Sequence, residues 1–406
     1  MTSVAASFPC FRQKPARDLD LHQGSPRSCR ASSGHVVPEP WRDAMRHPAF
    51  LLPALLTGSL VPIWSQAQGT EPTPEEIVED WMASGHADAM AEAFRHWDEE
   101  GEIPGACAAC HSTTGFADYL ASPMTTVGAI DHPVPTGELV ECTSCHAPEA
   151  ASLATVPFPS GAAVSLGSGM AVCAVCHQGR ASGEAVETAV SDLDDDEVSD
   201  RLSFINVHYS AAAATLLGAE VGGGYEYPGQ SYSGRFAHVP GFDDCAGCHG
   251  AHDTAIEIAD CTSCHAGVTD SRAIRTTSAD LDGDGDTAEG IASEIATLHE
   301  HLHMMIRLYA ETIPDAAILY APDSYPYFFT DLDDDGQASA EETMRDNRYA
   351  NWTPRLLRAA YNYQFVAKDG GSHAHNPHYA AQLLIDSVND LAAALPQAQG
   401  DAFSRP

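Results

Sequence analysis

The chain has 406 residues, a formal net charge of −37 and 44% hydrophobic residues. This length and apolar content suffice for a folded protein with a sizeable core. The acidic balance excludes a nucleic-acid-binding protein and a protein that binds anionic membrane surfaces, because both need clustered positive charge.

The first 67 residues have the features of a processed leader. Arg42 and Arg46 precede an apolar stretch at residues 49–64, and small residues before position 68 allow cleavage after Ala67. The stretch is too short and too rich in Pro and Gly for a membrane-spanning helix, and no other segment is apolar enough to span one. We therefore predict a signal peptide at residues 45–67 and interpret residues 1–44 as an upstream extension that precedes the true start.

Removal of this leader makes the chain still more acidic. It takes away seven basic and four acidic residues, which leaves a formal charge of −40 and Lys368 as the one lysine. Such a surface favours cationic partners or divalent metals. We expect an exported protein, periplasmic or extracellular.

The first predicted helix starts at Pro74. Thr73 is the N-cap, Pro74 occupies the first helical position, and Glu76 stands three residues after the cap. The pattern predicts a helix to about Glu99, interrupted or bent near Gly85.

Five Cys-x-x-Cys-His motifs follow. This spacing is typical of covalent c-type haem attachment, in which two thiols bond the haem vinyl groups and the next histidine becomes the proximal iron ligand. Zinc sites and disulfides also use paired cysteines, but five pairs each followed at once by His favour haem. The predicted attachment residues are Cys107, Cys110, His111, Cys142, Cys145, His146, Cys173, Cys176, His177, Cys245, Cys248, His249, Cys261, Cys264 and His265.

The motif segment predicts a domain at residues 68–265 whose interior is built mostly by haem. Gly- and Pro-rich residues 156–169 and 222–234 predict loops rather than sheets. The short separation of His249 and His265 predicts that the fourth and fifth haems are neighbours.

The region after the motifs, residues 266–395, is predicted to be helical. Helices are expected over residues 290–309, 340–349, 354–366 and 379–395, and a disordered tail over 396–406. The predicted fold class is mainly α with much irregular loop, in a multihaem cytochrome c architecture.

Two acidic loops in this region have the spacing of calcium loops. In the loop that starts at Asp331, a Gly at position six and a Glu at position twelve complete the calcium-loop pattern. The loop that starts at Asp280 departs from the pattern at position twelve, where Glu289 or Glu294 would substitute. A solvated acidic loop is the alternative in both cases. The candidate ligands are Asp331, Asp333, Asp335, Gln337 and Glu342, and Asp280, Asp282, Asp284 and Asp286.

Each haem iron leaves one axial position beyond its motif histidine. A second His there gives a low-potential carrier, Met raises the potential, and an open position gives a catalytic or gas-binding site. Histidines outside the motifs are plentiful and Met is scarce, which favours bis-His coordination. Six histidines are candidates for the five second axial positions: His86, His96, His208, His238, His252 and His375.

The five motifs, with flanking strings such as residues 81–88, 206–216 and 359–387, resemble exported multihaem c-type cytochromes of environmental bacteria. The resemblance spans roughly residues 81–395. It implies electron transfer by closely packed, mostly bis-His haems, and the matching strings carry the distal-ligand role to the same six histidines.

The sequence favours an electron carrier with no substrate chemistry of its own, passing electrons to redox partner proteins or an extracellular acceptor. One alternative is a multihaem reductase of a small nitrogen or sulfur oxyanion, but the Cys-x-x-Cys-Lys motif that marks pentahaem nitrite reductases is absent. Another is a subunit of an extracellular cytochrome filament, a homopolymer in which a distal His crosses between protomers.

Overall fold

The computed structural model describes residues 72–122, 126–208, 210–275, 277–396, 403 and 405. The upstream extension, the signal peptide and most of the tail lie outside the described residues. The described part is mainly helical with long loops, which confirms the predicted fold class. Its α-helices are α1 Pro74–Ala83, α2 Glu92–Arg95, α3 Gly105–His111, α4 Thr113–Ala121, α5 Cys142–His146, α6 Pro148–Ala151, α7 Ser168–Cys176, α8 Gly183–Val190, α9 Ala212–Leu217, α10 Cys245–Cys248, α11 Ile258–Cys261, α12 Ile291–Thr312, α13 Pro354–Ala367, α14 Ser372–His375 and α15 Pro377–Ala394.

Strands contribute three small antiparallel pairs in the described residues. These are β1 Glu102–Ile103 with β2 Val134–Pro135, β3 Thr155–Pro157 with β4 Ala163–Ser165, and β5 Ile318–Tyr320 with β6 Phe328–Thr330. In the last pair Leu319 lies opposite Phe329, and both side chains are buried. The short strands fasten loops together rather than form a layer of the fold.

The N-terminal helix begins as its capping residues predict. The Thr73 hydroxyl accepts the Glu76 amide at 3.2 Å, and the Glu76 carboxylate accepts the Thr73 amide at 2.8 Å. This reciprocal pair satisfies two amides that the first turn leaves without helical partners. The helix ends at Ala83, and a 3-10 turn at Gly85–Ala87 separates it from α2, so the predicted interruption near Gly85 is confirmed.

Helices α12, α13 and α15 pack together and hold most of the buried apolar side chains of the C-terminal region. The predicted stripe on α12 is buried, with Leu298, Leu302 and Tyr309 fully enclosed. The bounds of α12, α13 and α15 agree within three residues with the helices predicted at 290–309, 354–366 and 379–395. The haem-built interior was predicted for the motif segment, and it stays a prediction.

Two element predictions are wrong. Residues 340–349 form turns and a 3-10 segment Arg345–Asn347, because Glu342 turns back to accept the amides of Leu332 and Ser339 at 2.8 and 3.0 Å. Residues 156–169 contain a β-hairpin, β3 with β4, where loops alone were expected. The hairpin turns at Gly161, whose φ of 88° is in the left-handed region that glycine tolerates.

The segment between the third and fourth motifs is fixed to the C-terminal helices. Asn362 of α13 accepts the Tyr225 amide at 2.7 Å and donates to the Tyr225 carbonyl at 2.9 Å. Gly224 lies so close to Leu383 of α15 that an added Cβ would overlap it. Arg355 of α13 bonds Asp196 of the acidic run at 2.7 Å. The run is therefore an ion-paired surface of the C-terminal helices.

Candidate metal centres

Each of the five motifs lies on a short helix or at its end. Motifs one and two fall within α3 and α5, the third ends α7, the fourth forms α10, and the fifth begins at the last residue of α11. Residues three apart are neighbours on a helix, so both thiols of a motif point to the same side. At the fourth motif the Asp244 carboxylate caps the helix by accepting the Gly247 amide at 2.7 Å.

The structure brings each motif histidine to a second histidine from elsewhere in the chain. All five ring-centroid separations fall within a narrow range. They are 6.1 Å for His111 and His208, 6.2 Å for His146 and His252, 6.2 Å for His177 and His86, 6.4 Å for His249 and His375, and 6.2 Å for His265 and His238. Imidazole nitrogens bind metals at about 2 Å, so two rings on opposite sides of one ion have centroids about 6 Å apart. The spacing fits one iron between each pair.

The sixth candidate, His96, contacts other groups. Its Nδ1 lies 3.0 Å from a Glu92 carboxylate oxygen one helical turn earlier, and its ring meets Trp97 edge-on at 4.9 Å between centroids. Trp97 in turn packs against the proximal His111 at 5.3 Å. His96 therefore packs beside the first motif, through its contact with Trp97.

The rings near the first and third motifs are held neutral. Withdrawal from bulk water lowers the pKa of His111 and of His177 to about 4, and that of His208 to about 3. For His111, the hydrogen bond to the Ala93 carbonyl partly opposes this lowering of the pKa, and the charge of Arg180 adds to it. A neutral imidazole is the form that ligates a metal.

Local backbone geometry positions the distal candidates. The His208 amide donates to the Asn206 side chain at 2.9 Å, and His208 itself has a φ of 68°. This compact turn places His208 in the loop between α8 and α9 rather than on a helix. His86 lies in the 3-10 turn after α1, and its carbonyl accepts the Val140 amide at 3.3 Å. Sequence reasoning gave both residues but not their partners.

Motifs one and three open into a shared cavity of about 1000 Å³. That volume is at the upper end of the range for cofactor pockets, about 300–1000 Å³. The cavity is lined by both thiol pairs and by both histidine pairs of these motifs, together with Cys145 of the second motif. The donors fit two adjacent haems, since each pair of rings and its own thiols face the same space.

Sulfur contacts bring these two motifs to within van der Waals distance. The Cys110 sulfur lies 4.0 Å from the Val175 carbonyl oxygen, and the Cys176 sulfur lies 3.8 Å from the Ala109 carbonyl oxygen. Helix α7 packs against α3, α5 and α10, the helices of motifs one, two and four. The third motif is therefore central among the five.

The five motifs differ in exposure. Cys142, Cys145 and His146 of the second motif are exposed, as are Cys248 of the fourth and Cys264 of the fifth, whereas Cys107 of the first is buried. The same five-residue pattern thus occurs in two environments.

The distal candidate His375 has a carboxylate partner that sequence reasoning missed. Its Nδ1 lies 2.8 and 3.0 Å from the two oxygens of Asp369, a buried side chain. Burial lowers the pKa of His375, but the hydrogen bond and charge of Asp369 raise it more, so the net pKa is above the usual value. The sequence offered one signal, an Asp six residues before the His within the same short loop.

The acidic loop at residues 331–342 gathers three carboxylates. Oxygens of Asp331, Asp333 and Glu342 lie within 4.8 Å of one another, while Asp335 accepts the Gln337 amide at 2.7 Å. Asp331 Oδ1 is buried and has no hydrogen-bond partner among the described residues. Burial and the charges of Asp335, Glu342 and Asp331 raise the pKa of Asp333.

The loop at residues 280–289 forms two overlapping groups. Asp282 shares one with Asp280 and Glu294, and another with Asp284 and Glu289, each within 4.8 Å. Both substitute carboxylates named from the sequence are thus near the loop, whereas Asp286 accepts the Ala288 amide at 2.8 Å. Asp282 Oδ2 is buried without a partner in the described part of the chain, and burial raises the pKa of Asp282.

Three histidines of α12 take part in packing. The His299 Nε2 lies 2.9 Å from the Tyr363 carbonyl oxygen, and its ring stacks on Tyr363 at 3.9 Å. His303 stacks on the same tyrosine at 5.2 Å, and His301 meets Phe403 edge-on. These rings join α12 to α13 and to the tail.

Comparison with known proteins shows similarity to polyhaem cytochromes. Residues 53–132 match the family described as C-type polyheme cytochrome domain 2. The chain is 27% identical over 398 residues to the C-type polyheme cytochrome OmcC of Geobacter sulfurreducens, covering 78% of this chain and 48% of that protein. It is 25% identical over 445 residues to OmcB of the same species, covering 90% of this chain and 56% of that protein.

The chain thus spans about half the length of the curated relatives it matches. No solved structure gives a significant match. Within the described residues, no helix has the length and apolar character needed to cross a membrane.

Proposed function

We propose that this chain is an exported multihaem c-type cytochrome, an electron-transfer protein carrying five haems c, each bound by two histidines of the same chain. The observation that carries the proposal is the set of five histidine pairs at one-iron spacing. Each bound haem supplies a one-electron ferric/ferrous couple. The chain's residues attach the haems, orient the rings and set the potentials.

The proposed assignment gives every haem one motif histidine and one distal histidine. Haems are numbered by their motif in chain order. The axial pairs are His111 with His208 for haem 1, His146 with His252 for haem 2, His177 with His86 for haem 3, His249 with His375 for haem 4, and His265 with His238 for haem 5.

Two axial histidines give a low-potential, coordinatively filled iron. Such an iron exchanges electrons without binding a substrate, which favours a carrier over a reductase. A reductase of a nitrogen or sulfur oxyanion needs one open axial position, and the five intrachain pairs argue against it. The same pairs argue against a filament in which a neighbouring protomer donates a distal histidine.

The packing of the motif helices supports an order for the haems. In this order, haems 1 and 3 would share the inner cavity, and the contacts of α7 with α5 and α10 support haem 3 beside haems 2 and 4. Haem 5 follows haem 4, since His238 before the fourth motif pairs with His265 of the fifth. Haem 2, whose three attachment residues are all exposed, and haem 5, which stands at the end of this order and has an exposed Cys264, are the expected points of electron entry and exit.

The charge of the chain favours cationic partners at these points. With residues 1–67 removed the chain carries a formal −40, and surface charge of one sign steers oppositely charged molecules toward it. A basic redox protein or a positively charged extracellular acceptor fits this surface. Association with such a partner should weaken as ionic strength rises, because salt screens the attraction between opposite charges.

The two acidic loops are proposed as calcium sites. The support is the buried, unpartnered oxygen of Asp331 in one loop and of Asp282 in the other, within the described residues. A buried carboxylate oxygen without a partner is costly, and a divalent ion with oxygen ligands removes the cost. Helix α12 starts directly after the loop at residues 280–289, and its Arg307 lies 3.5 Å from Asp331 of the loop at residues 331–342. Calcium would thus fix both ends of this helix.

The proposed function is tested on the exported, haem-loaded protein. Intact mass should correspond to residues 68–406 with five haems, and electron paramagnetic resonance of the oxidised protein should show five low-spin haems. A stoichiometric high-spin haem would favour the reductase, and a chain with fewer than five haems would contradict the assignment.

A further inference from the structure

Asp369 lies in the short connection between α13 and α14, where it is 3% exposed. Its carboxylate accepts the Gly371 amide at 3.1 Å and contacts Nδ1 of His375 through both oxygens. The His375 ring lies directly over Gly371, where an added Cβ would come within 2.6 Å of a ring carbon. The loop therefore forms a close-fitting support for one imidazole, with a buried carboxylate behind it.

The opposite ring of the same pair has a different partner. Nδ1 of His249 lies 3.1 Å from the Thr254 carbonyl oxygen. Nδ1 of His111, the proximal candidate of haem 1, likewise lies 2.9 Å from the Ala93 carbonyl oxygen. A carbonyl accepts the ring proton as a neutral dipole, whereas a carboxylate brings a full negative charge.

From this contrast we infer that Asp369 is a potential-setting residue, which holds His375 in position and lowers the reduction potential of haem 4. The inference rests on the proposed axial pair His249 and His375. A carboxylate hydrogen-bonded to the far nitrogen of a ligating imidazole raises the basicity of that ligand. A more basic ligand with a buried negative charge behind it stabilises ferric over ferrous iron.

The negative charge of Asp369 would act on haem 4 through the hydrogen bond to His375. The proton between His375 Nδ1 and the Asp369 carboxylate would stay shared when haem 4 gains an electron, so no proton would be released or taken up. The Gly371 amide is a neutral donor and leaves the carboxylate charge in place. Since Asp369 is buried, solvent screens the charge less than it would at the surface.

The position of haem 4 gives this residue a role in electron flow. In the proposed order, haem 4 lies between haem 5 and haems 1, 2 and 3. A lowered reduction potential at haem 4 would make electron transfer onto it energetically unfavourable, both from haem 5 and from haems 1, 2 and 3. Electrons would therefore stay on either side of haem 4 and cross it only transiently.

The test uses the haem-loaded full chain with the substitutions Asp369→Asn and Asp369→Glu. Asp369→Asn keeps the size and a hydrogen bond but removes the charge. Redox titration followed by visible spectroscopy should show five haems in both variants and an upward shift of one midpoint in Asp369→Asn. We expect about a tenfold change in that haem's reduction equilibrium, which is about 59 mV for one electron. Asp369→Glu should restore the original midpoint.

The affected haem is identified with His375→Met, because methionine raises the potential of the haem it ligates. The midpoint that moves in Asp369→Asn must be the one that moves in His375→Met. The control is Asp386→Asn, which neutralises another buried carboxylate of the same region, bonded to Tyr232 and Arg405. This control should leave all five midpoints unchanged.

Three results would overturn the inference: five unchanged midpoints in Asp369→Asn, an equal shift in the Asp386→Asn control, or loss of low-spin signal in both Asp369 variants. A high-spin haem in the unsubstituted protein would instead contradict the proposed bis-His assignment. The spectrum of the unsubstituted protein thus separates failure of the proposed function from failure of this inference.

Discussion

The inner and outer histidine pairs are built from one motif but lie in different surroundings. The inner pairs, His111 with His208 and His177 with His86, line a shared cavity beside buried helices. The outer pairs, His146 with His252 and His265 with His238, belong to motifs with exposed residues. The difference teaches that covalent attachment is a local property, whereas burial and coupling between haems depend on what packs around the motif.

The largest expected effect comes from removing an inner rather than an outer haem. Cys173→Ala with Cys176→Ala removes the third haem, which adjoins the helices of motifs one, two and four. We expect an unfilled cavity and a thermal midpoint lower by more than about 10 °C. The matched outer variant, Cys261→Ala with Cys264→Ala, should lose one haem and under about 5 °C. Calorimetry with intact mass measures both, and equal losses would contradict the inner and outer distinction.

Loss of a distal ligand should be visible in either environment. His208→Ala and His252→Ala each open one iron, so one haem in five should become high-spin in electron paramagnetic resonance. His96→Ala is the control, since His96 contacts Glu92 and Trp97. It should leave five low-spin haems. A high-spin signal in His96→Ala, or none in the other two, would show that the pairing is misassigned.

Acid should destabilise the inner group in a defined range. The pKa of His111 and of His177 is about 4 in the folded chain, against 6.5 when unfolded. Between these values the unfolded state binds more protons, so stability falls as pH drops from about 6.5 to about 4. The slope is at most about 1.4 kcal/mol per pH unit for each group, and iron ligation acts in the same direction.

Urea unfolding at several pH values, followed by the low-spin haem absorption, measures this slope. The control is His132→Ala, because hydrogen bonds from Asp131 and Asp118 raise the pKa of His132 at the surface. Its contribution has the opposite sign and is lost as pH rises. Stability that stays constant between pH 7 and pH 4.5 would contradict the neutral inner rings.

Calcium removal should have the smallest effect, and it should reach haem 4 through the C-terminal helices. Helix α12 packs against α14, which carries His375. Chelation should lower the thermal midpoint by a few degrees, in proportion to calcium bound, and perturb one haem spectrum more than the other four. Glu342→Gln should weaken the effect, whereas Asp192→Asn in the other acidic run should not. An unchanged midpoint together with no calcium by elemental analysis would reduce the loops to solvated turns.

Several elements followed from local patterns alone. The capping residues Thr73 and Glu76 predicted the start of α1, and the apolar spacing around Leu298 and Leu302 predicted α12. The predicted helix at residues 340–349 failed because the Glu342 side chain satisfies the amides of its own loop instead. A side chain that bonds distant backbone groups leaves no trace in helical periodicity.

The sequence by itself determined the mainly helical class and predicted the five attachment sites, because thiol spacing, caps and apolar stripes act between residues close along the chain. It also supplied six histidines for the distal positions. Only the tertiary structure paired five of them with motif histidines, placed His96 against Glu92, and set Asp369 behind His375. Those choices depend on how helices and loops far apart in sequence pack together, and no local pattern encodes that packing.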